Sequence, residues 1–305
     1  MGTVSIFGAT GFIGRKLIKT FTLKGFKINI FSTNIENAEK IFKNLSNIKI
    51  YDINEIKSNT LIESDIIINL SGASIGGKRW TERYKKIILD SRIETTKKIV
   101  GALFRNKDCR NKLLINASAV GIYGNKGEYE VTEFSDEGKD FLAEICRRWE
   151  VEAINAENTG CRVALIRMGI VLDKNKGALK RLVLPFKFFT GGYISPGNQW
   201  LSWIHIEDLI NAILFIIDNP NIKGKINCTS PAPVTNRQFN KTLGKILKRP
   251  CFLKIPKIIL RIITGEFSNS LINGQKVLPY KLSEFGYKFR YIELEEALCN
   301  LILND

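Results

Sequence analysis

Apolar and polar positions at the start of the chain follow two alternating periods. Val4 to Phe7 form a short apolar run, and three glycines spaced three apart, Gly8, Gly11 and Gly14, come directly after it. From Phe12 apolar residues recur at helical spacing to Lys24, where Gly25 ends the segment, and a second apolar run covers Ile28 to Phe31. The pattern predicts strand, glycine turn, helix, strand. It continues with strand-like runs at 48–53, 66–70, 113–117, 163–168 and 225–228, and with helical patterns at 35–45, 81–106, 139–157 and 205–218.

Strands alternating with helices imply right-handed crossovers and a mainly parallel sheet covered on both faces. The expected fold class is therefore α/β, a Rossmann-type doubly wound parallel sheet. From about Pro231 the alternation fades: a helix is expected from Thr235 to Leu247, Pro250 and Pro256 interrupt the next stretch, and another helix begins near Ile292. Residues 1–229 read as a nucleotide-binding domain and 230–305 as a smaller, mostly helical cap over the substrate.

The glycine turn lies where such a fold binds a dinucleotide. Gly8 permits the tight turn, Gly11 leaves no Cβ in the way of a pyrophosphate, and Gly14 lets the helix pack closely, with its N–H groups toward the phosphates. Expected cofactor contacts are Gly8, Thr10, Gly11, Phe12, Ile13 and Gly14, and Leu70, Ser71, Gly72 and Ala73 after the fourth strand. An acidic residue at the end of the second strand would favour NAD(H). Here that position reads Ser32-Thr33-Asn34, whose hydroxyls and amide suit a 2′-phosphate, so NADP(H) is expected over NAD(H).

Composition narrows the class. With 305 residues, 44% hydrophobic and 25% charged, the chain matches a globular protein with a substantial core. No apolar stretch approaches the ~20 residues of a membrane span, and the first strand begins too early to leave room for a signal peptide. Six scattered cysteines without a C-x-x-C pair, and a single histidine, argue against a metal site and for reduced thiols in the cytosol. The net charge of +16 reads mainly as solvated lysine. From Arg237 to Arg261, however, eight basic residues occur with no acidic one, a candidate surface for an anionic partner. The stretch carries few aromatics, so nucleic-acid binding is not expected.

Further motifs are Asn69-Leu70-Ser71-Gly72-Ala73, Gly77-Lys78-Arg79-Trp80-Thr81-Glu82, Ser91-Arg92, Ser118-Ala119-Val120-Gly121-Ile122-Tyr123-Gly124, Phe141-Leu142-Ala143-Glu144-Ile145-Cys146, Trp203-Ile204-His205 and Gly274-Gln275-Lys276-Val277-Leu278-Pro279. Together with the glycine turn they resemble, nearly end to end, the atypical branch of the extended short-chain dehydrogenase/reductases called epimerase family proteins. That branch carries a C-terminal domain of unknown function. The resemblance implies a small-molecule oxidoreductase or epimerase-like enzyme. Standard members use a serine, a tyrosine, a lysine four residues later, and an upstream helical asparagine. Ser118 matches the serine, but Leu142 and Cys146 stand for the tyrosine and lysine, and Arg92 for the asparagine.

The expected catalytic set is therefore Ser118 polarising a carbonyl, Arg92 holding an anionic group, and Tyr123 or Cys146 handling a proton. Cys146 reads more readily as a small buried hydrophobe than as a reactive thiol. His205 is expected to be structural or cofactor-lining, and Trp80, Trp200 and Trp203 to be packing residues. The missing tyrosine and lysine also allow a cofactor-binding regulator or scaffold without turnover, and some cyanobacterial and plastid relatives carry a label linking them to cell division.

Overall fold

The computed structural model describes residues 2–303 except 57–59, 62, 106–108 and 175. Seven strands form one parallel sheet: β1 (Thr3–Phe7), β2 (Lys27–Ser32), β3 (Ile48–Asp52), β4 (Ile66–Asn69), β5 (Leu113–Ala119), β6 (Arg162–Met168) and β7 (Gly224–Cys228). Their order across the sheet is β7-β6-β5-β4-β1-β2-β3, and every pairing is parallel. The chain moves outward in one direction from β1 and then in the other from β4, so β1 and β4 are neighbours at the switch point of the winding. That point opens the crevice in which such sheets bind ligands.

Parallel strands are buried on both faces, which explains their almost unbroken apolar runs. Val4, Ile6, Ile28, Ile30, Ile66, Ile68 and Ile115 point into one core. Phe7, Phe31, Ile67 and Leu114 point into the other. Helices α1 (Phe12–Leu23) and α6 (Ile206–Asp218) cover the first face; α3 (Glu82–Phe104) and α4 (Phe141–Ile154) cover the second, with α2 (Ile35–Phe42) and α5 (Gly177–Lys187) between them in sequence. Capping fixes where two of these helices begin. Thr81 Oγ1 accepts from the Tyr84 N–H and Asp140 Oδ1 from the Ala143 N–H. Truncating a fully buried strand residue such as Ile6 to Ala is expected to cost about 2–5 kcal/mol in denaturant melts.

Beyond β7 lie α7 (Asn236–Leu247), α8 (Lys257–Thr264), α9 (Ser268–Ile272), α10 (Tyr280–Glu284) and α11 (Leu294–Leu303). Short strand pairs tie this segment back to the rest: Cys251–Ile255 pairs with Gly191–Ile194, and Lys276–Val277 with Glu130–Val131. Three members of the basic stretch have partners within the protein. Lys245 pairs with Glu295, Arg237 lies over the Tyr193 ring and Arg249 over Phe189. On α8, Ile258, Ile259, Ile262 and Ile263 are exposed.

His205 anchors the C-terminal segment. Its Nδ1 accepts the Glu207 N–H and caps α6, so Nε2 carries the proton and faces Asn300 Oδ1 at 3.2 Å. The Tyr291 ring packs on the imidazole, and Asp208 accepts the backbone N–H groups of Arg290 and Tyr291. Burial disfavours the imidazolium and pushes His205 from 6.5 down to about 4. The unfolded chain therefore binds the extra proton first. Stability contributed by neutral His205 is present above about pH 6.5 and is lost as pH falls toward 4, on the order of 2 kcal/mol. Denaturant melts at pH 4.5 and 7.5 should show this loss, and His205→Gln should flatten that part of the profile.

Candidate active site

The glycines of the turn have different structural reasons. Gly8 has φ +77°, and a Cβ there would lie 2.8 Å from the Leu70 backbone just beyond neighbouring β4. A Cβ on Gly14 would lie 2.6 Å from the carbonyl oxygens of Gly8 and Ala9. The fold itself excludes a side chain at both. Gly11 has an ordinary φ of −67°, and its closest obstacle is the Gly8 carbonyl at 3.2 Å. Gly11 is also the N-cap of α1, with no side-chain cap and no acidic residue in the first turn. The N–H groups of that turn are thus left for an external acceptor. Thr10, Phe12 and Ile13 flank the turn, half-buried. At the end of β2, Ser32 Oγ bonds both the N–H and the carbonyl of Asn34, while Asn34 Oδ1 caps α2. Thr33 stays exposed.

A cavity of about 370 Å³ opens beyond the C-terminal ends of β4, β5 and β6. Leu70, Ser71 and Gly72 form one side, Ala117 to Gly121 the floor, and Leu142, Cys146 and Trp149 of α4 the opposite side. Met168 to Val171 continue the rim. Ser270, Asn273 and Gln275 of the C-terminal segment cover it together with Trp200, Leu201 and Ser202.

Arg92 reaches this cavity from α3 and is 8% exposed. Its Nη1 donates to the carbonyls of Ala73 and Ile88, and its guanidinium lies 5.1 Å from the Trp149 ring centre. Gly72 lets the loop after β4 run against it: a Cβ there would fall 2.9 Å from Arg92 Cζ. Among the described residues no carboxylate pairs with Arg92. Burial therefore pulls its pKa down from the usual value, and the guanidinium is a desolvated cation without a counterion.

Ser118 also lines the cavity, but its hydroxyl donates to Glu150 Oε1 at 2.6 Å. Arg167 grips the same carboxylate through Nε at 2.8 Å and Nη2 at 2.7 Å. Burial opposes the charge on Arg167, and the Glu150 hydrogen bonds outweigh it, raising the guanidinium above its ordinary range. Arg167 Nη1 donates to the Tyr123 hydroxyl, which in turn donates to Asn227 Oδ1 at 2.7 Å. Asn227 Nδ2 donates to the carbonyl of Leu278 in the C-terminal segment.

This geometry corrects the expectation for Tyr123. Its side chain is fully buried in the ion-pair network, it is absent from the cavity wall, and burial lifts its hydroxyl to about 12. A proton held that firmly, away from the cavity, is not available to a ligand. Cys146 does reach the cavity, yet burial pushes its thiol up to about 11 in spite of the nearby Arg92. Arg147, next to it in sequence, turns away to Glu137 and Glu144.

Sequence reading missed Glu150 and Arg167. Both carried a signal: Arg167 is a charge inside the apolar strand Arg162–Met168, and Glu150 lies one helical turn beyond Cys146 on α4. Gln275 stands in the Gly274–Pro279 motif, but nothing there placed it at the cavity, and Asn273 had no signal, because tertiary folding brings both over the sheet. Among the described residues no cluster of three or more His, Cys, Asp or Glu could hold a metal, and no helix is long and apolar enough to cross a membrane.

These contacts set the expected behaviour of three variants and probes. Glu150→Ala, which strands a buried Arg167, should cost about 3–5 kcal/mol in denaturant melts. Tyr123→Phe should cost about 1 kcal/mol and leave cofactor affinity unchanged by calorimetry. In the folded protein at pH 7, a pKa near 11 leaves about one Cys146 in ten thousand as thiolate, so a thiol probe should label it far more slowly than a free cysteine.

The model of the NAD dependent epimerase/dehydratase family matches residues 4–228, and that of a domain of unknown function, DUF1731, matches 255–301. The chain is 41% identical over 299 residues to the chloroplastic homologue of epimerase family protein SDR39U1 of Arabidopsis thaliana, covering 97% of this chain and 85% of that protein. It is 39% identical over 300 residues to epimerase family protein YfhF of Bacillus subtilis, covering 98% and 97%. The crystal structure of human epimerase family protein SDR39U1 with NADPH aligns with a TM-score of 0.86 and 27% identity, over 99% of this chain and 100% of that one. The chain therefore belongs to the NAD-dependent epimerase/dehydratase family.

Proposed function

We propose that the chain binds NADP(H) in the crevice at the β1–β4 switch point and acts as an oxidoreductase or epimerase-like enzyme on an anionic small molecule. The observation that carries this reading is Arg92, a buried guanidinium without a carboxylate partner among the described residues, at a cavity below the C-terminal segment. A desolvated cation of this kind is stabilised by an anion that brings its own charge into the cavity.

The fit to a dinucleotide rests on Gly11, where a Cβ would approach only the Gly8 carbonyl within the protein, and on the uncapped start of α1. Preference for NADP(H) is supported by Ser32-Thr33-Asn34, which places no carboxylate at the end of β2, and by the NADPH in the human relative's structure. A bound nicotinamide supplies or accepts hydride. The chain's own part is to orient and to exclude water: Arg92 takes the anionic group, the Leu70–Ala73 loop and the Met168–Val171 rim enclose the reacting end, and Ser118 meets the ligand at the floor. Residues 1–229 hold the cofactor in this reading, and 230–305 complete the substrate side.

One observation favours a cofactor-binding regulator without turnover. Leu142 and Cys146 occupy the helical positions of the family's tyrosine and lysine, and no phenol among the described residues lines the cavity in their place. NADPH consumption in the presence of small oxo anions, and NADP⁺ reduction with hydroxy anions, separate the two readings, because a regulator would bind and not turn over.

Calorimetric titration should show tighter binding of NADPH than of NADH, and comparable or reversed affinities would overturn the preference. Arg92→Ala should keep NADPH affinity and a melting temperature within a few degrees of the parent protein. The two carbonyl hydrogen bonds it loses are offset by removal of a desolvated charge. The same variant should lose the thermal stabilisation that anionic ligands give the cofactor-bound parent.

A further inference from the structure

A hydroxyl has one proton to donate and two lone pairs with which to accept. The proton of Ser118 is committed to Glu150 Oε1 at 2.6 Å. A carboxylate already held by both arms of a buried guanidinium accepts hydrogen bonds and gives none back. Turning the Ser118 hydroxyl toward a ligand would forfeit a charge-assisted hydrogen bond inside a pair that is almost wholly buried. Ser118 therefore has only acceptor capacity left for the cavity that it lines.

Of the three other serines of the wall, Ser71, Ser202 and Ser270, two also have their protons committed. Ser202 Oγ donates to the Gln275 carbonyl and accepts the Val277 N–H, and Ser270 Oγ donates to the Phe267 carbonyl. Among the described residues Arg92 is the charged donor of the cavity, whose wall also includes Ser71, Asn273 and Gln275. A ligand carbonyl placed at Ser118 would set acceptor against acceptor, while a ligand hydroxyl there would be satisfied.

We propose that the cavity selects an anionic alcohol: a carboxylate or phosphate at Arg92, and a hydroxyl donating to Ser118 Oγ. Ser118 then reads the reduced, hydroxyl form of the substrate couple and does not polarise a carbonyl. This inference rests on Arg92 being an anion site, and it adds which functional group stands beside the anion.

The test uses full-length protein saturated with cofactor and pairs that differ only at one carbon: lactate against pyruvate, gluconate against 2-oxogluconate, and glycerol 3-phosphate against dihydroxyacetone phosphate. Each hydroxy compound is titrated into the NADPH form and each oxo compound into the NADP⁺ form, so neither can react. The hydroxy member should bind about tenfold or more tightly, since an unmatched buried acceptor is strongly rejected. Ser118→Ala should abolish that preference, and Arg92→Ala should weaken both members. Equal affinities, or tighter binding of the oxo member, with dependence on Arg92 intact, would overturn the Ser118 assignment and leave the anion site standing. If no anion of either kind binds the parent protein, the anion reading of Arg92 fails, and this inference fails with it.

Discussion

The pair between Arg167 and Glu150 is the interaction on which the neighbourhood of the cavity depends. A guanidinium and a carboxylate both removed from water are tolerable only when each is met by hydrogen bonds in good geometry. The fold arranges this by drawing partners from four elements. Ser118 comes from β5, Tyr123 from the turn after it, Glu150 from α4, and Asn227 from β7. The requirement to satisfy one buried charge thus fixes the positions of groups that are far apart in sequence. It also turns Tyr123 away from the cavity and decides which way the Ser118 hydroxyl points.

Arg92 and Arg167 illustrate two treatments of the same side chain. Both are buried and both reach toward the ends of the central strands. Arg167 is neutralised within the protein and is structural in consequence. Among the described residues Arg92 has carbonyl oxygens and the Trp149 ring, weak substitutes for a counterion. The family position of Arg92 pointed to the cavity, but only the contacts separate a structural arginine from one with charge left to satisfy.

The sheet was legible in the sequence because buried parallel strands are continuous apolar runs bounded by turns. Its glycine turn was legible because Gly8 and Gly14 are forced by backbone contacts within the turn and to the end of β4. The helical reading of 139–157 overran, since the chain passes at Asn155 from α-helix to a short 3₁₀ turn that the apolar period does not distinguish. Tyr123 misled because a tyrosine just after the serine strand looks near the site in sequence, whereas its direction is set by Asn227, 104 residues later. A cap was expected from the C-terminal segment, but its residues at the cavity were not: Ser270 and Asn273 have no periodic pattern, and their approach is aided by the two-residue pairing of Lys276–Val277 with Glu130–Val131.

That small pairing has a thermodynamic consequence. One wall of the cavity belongs to the C-terminal segment, whose edge over the cavity is held by that pairing, by hydrogen bonds such as Ser202 to Gln275 and Asn227 to Leu278, and by Phe267 packed on Trp80. Local opening of such a segment costs less than global unfolding. A ligand that touches both walls binds the closed form alone, so its binding free energy is added to the docking of the segment. Occupancy and closure are then a single equilibrium: the C-terminal segment reports, through its own protection from solvent exchange, whether the cavity beneath it is filled.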